Sequence, residues 1–179
     1  SPRDSHAAII GEQSVGYGDD RTRGLDSTEP RIISVFPLYF LGMTSRNDII
    51  TLPHPSLREK SARVHVITDE TKQLIEDMRS AALDWEDSRP HEIAVALAAV
   101  QVNELLRIVV VRSNFDDKSD RTFHVFINPE ILETSEITVP YQEGCLSVPD
   151  QYAEVLRPDR VRARWMDRDG SLREEWIRV

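Results

Sequence analysis

The run YQEGCLSVP at residues 141–149 contains the chain's sole cysteine, Cys145. A lone thiol cannot close an internal disulfide, so it is packing, a nucleophile or a metal ligand. Packing is the bland reading, because free thiols rank among the most buried side chains. A catalytic thiolate needs a base within reach, and His124, in a strand-like run, is the internal candidate. A metal site needs two or three further ligands. The histidines are His6, His54, His65, His91 and His124, and none falls at a recognised ligand spacing. His91-Glu92 opens HEIAV, but Val95 stands where a His-Glu-x-x-His pair needs its second histidine. His91 therefore reads as a solvated loop residue.

The elements that must position these residues follow from periodicity. In TDETKQLIEDMRSAALDWED (68–87) the apolar residues Leu74, Ile75, Met78, Ala81, Ala82 and Trp85 recur at helical spacing. Thr68 is the expected cap, and Asp69 and Glu70 suit the positive end of the helix dipole. Upstream, residues 49–64 carry Pro53 and Pro55 around His54 and read as extended. Downstream the pattern turns to strands at 106–112, 123–129, 131–139, 152–158, 160–167 and 172–179, the last two joined by a turn through Asp169-Gly170. One helix followed by antiparallel strands is an α+β pattern.

With 22 basic and 31 acidic residues the net charge is −9, which argues against a nucleic-acid footprint. Basic residues are scattered, with no block suited to a membrane surface. A single free cysteine suits a reducing compartment, so a cytoplasmic location is expected. The longest apolar stretch, residues 32–42, is about half of the ~20 residues a membrane helix needs. The acids of the preceding segment do not suit an organelle transit peptide. Residues 1–42 are expected to form a poorly ordered leader, with a domain over 43–179 and Met43 as the natural start.

The motifs around the cysteine resemble those of the peptide deformylase family. YQEGCLSVP is similar to its EGCLS signature. AVALAAVQ (94–101) resembles GxGLAAxQ, keeping Leu97, Ala98, Ala99 and Gln101. PHPSLR (53–58) and EVLRPDRVRARWMDRDG (154–170) resemble the flanking stretches, in family order. The resemblance implies a deformylase-like α+β fold of antiparallel sheets with one N-terminal helix. It also implies a hydrolase that removes the formyl group from the initiator methionine of nascent polypeptides at the ribosome, without direct contact to nucleic acid or membrane. The implied cofactor is Fe2+, replaceable by Zn2+, Ni2+ or Co2+. Cys145 matches the metal-binding cysteine. Gln101 matches the glutamine whose amide, with the backbone N–H of the residue at Leu146, forms the oxyanion hole. Val95, Ala96, Glu143 and Gly144 match the substrate-binding positions; Glu143 is further expected to give structural support, and Gly144 to give the turn its backbone freedom.

Two departures stand out. Ala94 and Ala96 replace the glycines of the first motif, a cost only if the backbone there needs positive φ or close approach of a peptide. The HExxHxxG motif, on the family's central C-terminal helix, is absent, and with it two histidine ligands and the general base. The expectation is a chain cut short after its last strand and inactive as it stands. The alternative is a catalytically silent deformylase-like module that binds peptides.

Overall fold

The computed structural model describes residues 44–178, so the expected leader over 1–42 lies outside the described residues. Thr68 starts helix α1 (Asp69–Asp87) as expected. Its hydroxyl accepts the Thr71 N–H at 3.3 Å while Thr71 Oγ1 accepts the Thr68 N–H at 3.4 Å, a reciprocal cap. The helix buries Ile75, Met78, Ala81 and Ala82, one stripe of its surface.

That stripe packs on an antiparallel sheet whose strands run in the order β1-β2-β3-β6-β7. The strands are β1 (Ala96–Ala98), β2 (Ile108–Arg112), β3 (Phe123–Thr134), β6 (Arg160–Met166) and β7 (Leu172–Arg178). Between β3 and β6 the chain makes a separate hairpin, β4 (Thr138–Cys145) and β5 (Val148–Pro158), with Leu146 and Ser147 at its tip. Ile75, Met78, Leu97, Ile108, Val110 and Ile127 form the centre of the core, each at most 1% exposed. Among the described residues this is the expected α+β architecture.

Two local expectations need correction. Residues 123–129 and 131–139 are expected as two strands, but β3 runs on through Pro129 and Glu130. Pro129 has no N–H to give, and it falls where the β3–β6 register shifts between Ile127 and Glu130, so no regular ladder bond is lost. The break comes after Thr134 instead. Next to the proline, Asn128 takes φ 54°, and its side chain accepts from Val64 N–H and donates to Val64 O, both at 2.8 Å. Residues 49–64 were read as wholly extended. They contain a short 3-10 turn, Pro55–Arg58, with proline at the first helical position, where its missing N–H costs nothing.

One feature of the core is ionic. Glu86 on α1 and Arg112 on β2 form a pair at 3.0 Å, both side chains with zero exposure. Glu86 Oε2 also accepts the Ala94 N–H at 3.1 Å, and Arg112 Nη2 donates to Lys118 O at 3.1 Å. The guanidinium lies 5.3 Å from the centre of the Phe123 ring. Among the described residues, no helix is long and apolar enough to cross a membrane.

Removing one member of a buried pair strands the other charge, whereas removing both leaves an apolar site. Arg112→Leu is expected to cost about 3–5 kcal/mol. The measurement is urea unfolding, read as a lower midpoint at unchanged slope. The double variant Glu86→Leu/Arg112→Leu should be more stable than Arg112→Leu alone. Additive losses would contradict this account of the pair.

Candidate active site

The segment after Asp87 is shaped by one cation. The Lys118 ammonium lies 2.8–3.3 Å from the carbonyl oxygens of Glu86, Arg89, Pro90 and Glu92. It gathers the end of α1, which has no basic residue in its last turn, and so supplies the positive charge favoured there. From this wrapped segment the chain enters Ala94, held by Glu86, and then Val95, whose carbonyl accepts the Arg112 N–H at 2.7 Å. Strand β1 is thereby placed by the buried ion pair. Positive φ among the described non-glycine residues occurs at Asn103, Asn128 and Asp150. Ala94 and Ala96 therefore take ordinary L-residue angles, and the extra methyl groups cost no backbone strain.

Immediately after β1, a 3-10 turn at Ala99–Val102 presents Gln101. Its side-chain oxygen accepts the Ala98 N–H at 2.9 Å, which turns the amide nitrogen the other way. That nitrogen lies 3.1 Å from Ser147 Oγ and 3.8 Å from Cys145 Sγ. Gln101 and Cys145 thus approach each other from two different elements, with Leu146 between Cys145 and Ser147 at the hairpin tip. The N-terminal strap reinforces the arrangement: Ile50 N–H donates to Gln101 O at 2.8 Å and Leu52 N–H to Ser147 O at 3.0 Å. Cys145 is exposed, so the buried-hydrophobe reading fails.

The other expected positions lie at β1 and on β4. Val95 and Ala96 are half-buried at the start of β1, an edge strand paired with β2 alone. Glu143 turns its carboxylate to Arg157, with both bonds at 2.9 Å, and braces β4 against β5. Gly144 needs a different reason from the one expected. A Cβ there would meet Tyr152 Cε1 at 2.8 Å, so the glycine makes room for an aromatic ring and not for a special backbone angle.

Sequence reasoning missed three contributors. Ser147, 4% exposed, holds Gln101 although it stands in the quoted run itself. Glu86 continues the apolar stripe of α1 four residues beyond Ala82, a position where a carboxylate signals a buried partner. Tyr152 donates to Glu92 Oε2 at 2.5 Å, and Arg89 Nη1 bonds Glu92 at 2.9 Å and Asp150 at 2.7 Å. The Arg89 guanidinium rests 4.7 Å from the Trp85 ring. The Tyr152 hydroxyl first, and Arg89 second, hold the Glu92 carboxyl below its ordinary value; the same hydrogen bond raises the Tyr152 phenol.

A metal is a poorer fit. Among the described residues no group of three or more His, Cys, Asp and Glu converges, and Cys145 offers one sulfur where a catalytic site needs three protein ligands. These residues do not hold a catalytic metal unaided. His91 is exposed in a turn, as expected.

Comparison with known proteins gives the same picture throughout. Residues 46–177 match the family model described as polypeptide deformylase. A peptide deformylase of Mesorhizobium japonicum is 43% identical over 126 residues, covering 70% of this chain and 67% of its own. Among solved structures, a probable peptide deformylase of Synechococcus phage S-SSM7 is similar with TM-score 0.64 and 32% identity, over 73% of this chain and 83% of its own. A peptide deformylase of Synechococcus elongatus, solved in complex with actinonin, matches with TM-score 0.64 and 29% identity, over 73% and 67%.

The lowered Glu92 value sets a pH dependence. A carboxyl whose folded value lies below its unfolded one adds stability that is complete above the unfolded value and is lost as pH falls through the folded one. The tie between Glu92 and Tyr152 should therefore hold at neutral pH and loosen in acid, below the ordinary glutamate value of 4.5. Tyr152 ring resonances followed by NMR should shift with a midpoint under that value. A midpoint at or above it would contradict the geometry.

Proposed function

The chain belongs to the polypeptide deformylase family, hydrolases that remove N-formyl groups, and from that premise we propose how its residues serve the reaction. When a nucleophile adds to the formyl carbon, negative charge gathers on the formyl oxygen. The Gln101 side-chain amide and the Leu146 backbone N–H are the donors for that charge, fixed beforehand and so requiring no reorganisation. The observation that carries this reading is the orientation of Gln101. Its oxygen is spent on Ala98, and its nitrogen is aimed at Cys145 and Ser147.

Were a divalent metal bound, Fe2+ with Zn2+, Ni2+ or Co2+ as substitutes, Cys145 would be the residue to give it one thiolate ligand. The nascent formyl-methionyl peptide lies along the outer edge of β1, bordered by Val95 and Ala96 on one side and Glu143 and Gly144 on the other. An extended peptide gains main-chain hydrogen bonds by adding to such an edge. The work takes place in the cytoplasm on chains leaving the ribosome, with no direct nucleic-acid or membrane contact, in a domain spanning 43–179. A second reading is a catalytically silent module that retains the peptide groove.

Metal content and hydrolysis of a formyl-methionyl tripeptide separate the two. The measurement is made on the 179-residue chain and on the same chain carrying an appended His-Glu-x-x-His segment. The chain alone should retain little metal and turn over little substrate; the extended one should gain both together. In the active form, Gln101→Ala should lower kcat by about a hundredfold or more, the cost of one oxyanion donor. Failure of the extended chain to gain activity would favour the silent module. Full activity from the chain alone would mean that other residues, such as His91 or His124, complete the site.

A further inference from the structure

The β4–β5 hairpin is not part of the main sheet, yet it carries half of the site. Near its tip it is tied to the body through Ser147, which takes bonds from Gln101 and Leu52. A second tie lies further along the hairpin, on β5. Tyr152, the register partner of Gly144, reaches Glu92, and Asp150 reaches Arg89. Glu92 and Arg89 are themselves set by the backbone wrapped round Lys118 and by the Trp85 ring. Glu92 precedes β1 and Gln101 follows it. The two ties therefore grip the hairpin at both ends of the edge strand, and the span between them is the open edge of Ala96–Ala98.

We propose that Arg89, Glu92, Asp150 and Tyr152 form a latch that fixes the spacing between the edge of β1 and the Gly144 strand, and so positions the peptide chain beyond the formyl-methionine. This rests on the deformylase reading of the groove. The latch residues are positioning residues and do not touch the reacting atoms. Gly144 belongs to the latch in a specific sense. The Tyr152 ring lies over its Cα, where a Cβ would stand 2.8 Å from Cε1 and 3.1 Å from Cδ1. The ring reaches Glu92 only because that surface is bare. The ring is 60% exposed and Glu92 half-buried, so a conservative change at either leaves the core untouched.

The test uses Tyr152→Phe and Glu92→Gln in the full chain. Amide hydrogen exchange reports whether the hairpin is held. Calorimetric titration with formyl-methionine and with a formyl-methionyl tripeptide reports what the holding does. Both variants should exchange several-fold faster at 142–153, with α1 and β2 unchanged. They should bind the tripeptide several-fold more weakly while binding formyl-methionine as the parent does. Equal weakening for both ligands would mean a general structural role and would overturn the proposal. So would unchanged tripeptide affinity, whatever the exchange shows. A parent chain that binds neither ligand would instead overturn the deformylase reading of the groove and the positioning role that rests on it.

Discussion

The arrangement hangs on a pair of charges with no access to water. Burying Glu86 and Arg112 costs several kcal/mol per ion before any return, and their mutual attraction repays this only when the remaining polar atoms find partners. Here the pair uses those partners to place the site. One glutamate oxygen faces Arg112 and the other takes the N–H of Ala94, where the first motif begins. The arginine anchors Lys118 through its carbonyl, and Lys118 in turn gathers the carbonyls of residues 86–92. Arg112 Nε and Nη1 take no hydrogen bond among the described residues and stand by the Phe123 ring, so the compensation is partial. A purely apolar substitute could fill the space but could not orient β1.

From that anchor the site is assembled by two elements remote in sequence. The turn after β1 brings Gln101, whose oxygen is committed to Ala98, so that its nitrogen faces Ser147 and Cys145. The hairpin brings Cys145, Leu146 and Ser147, with Glu143 fixed by Arg157 and Gly144 flattened under Tyr152. The register of the two elements against each other is set by polar contacts at both ends of β1, not by a continuous ladder.

Much of this was legible in the sequence, and the parts that were not share a cause. Thr68 and the spacing of Ile75, Met78 and Ala82 announced α1, because cap and stripe are local. The strand that carries Cys145, β4 (Thr138–Cys145), was not among those expected, but the resemblance to the deformylase motifs brought Gln101 and Cys145 into one hypothesis. The two strands expected at 123–129 and 131–139 are one as far as Thr134, because the bulge beside Pro129 removes the need for its N–H. Gly144 was credited with backbone freedom, since a sequence displays the missing side chain but not the ring lying over it. The Glu86–Arg112 and Glu92–Tyr152 contacts join residues 26 and 60 positions apart, and no local pattern encodes them.

The central claim is that the Gln101 side-chain amide and the Leu146 N–H receive the formyl oxygen beside Cys145. An NMR titration of the nitrogen-15-labelled chain tests it directly, comparing a formyl-methionyl peptide with its unformylated counterpart. The formylated peptide should move the Gln101 side-chain and Leu146 backbone signals selectively, with the unformylated peptide leaving both in place. Equal shifts from the two peptides, or shifts confined to residues away from Gln101 and Leu146, would contradict the account.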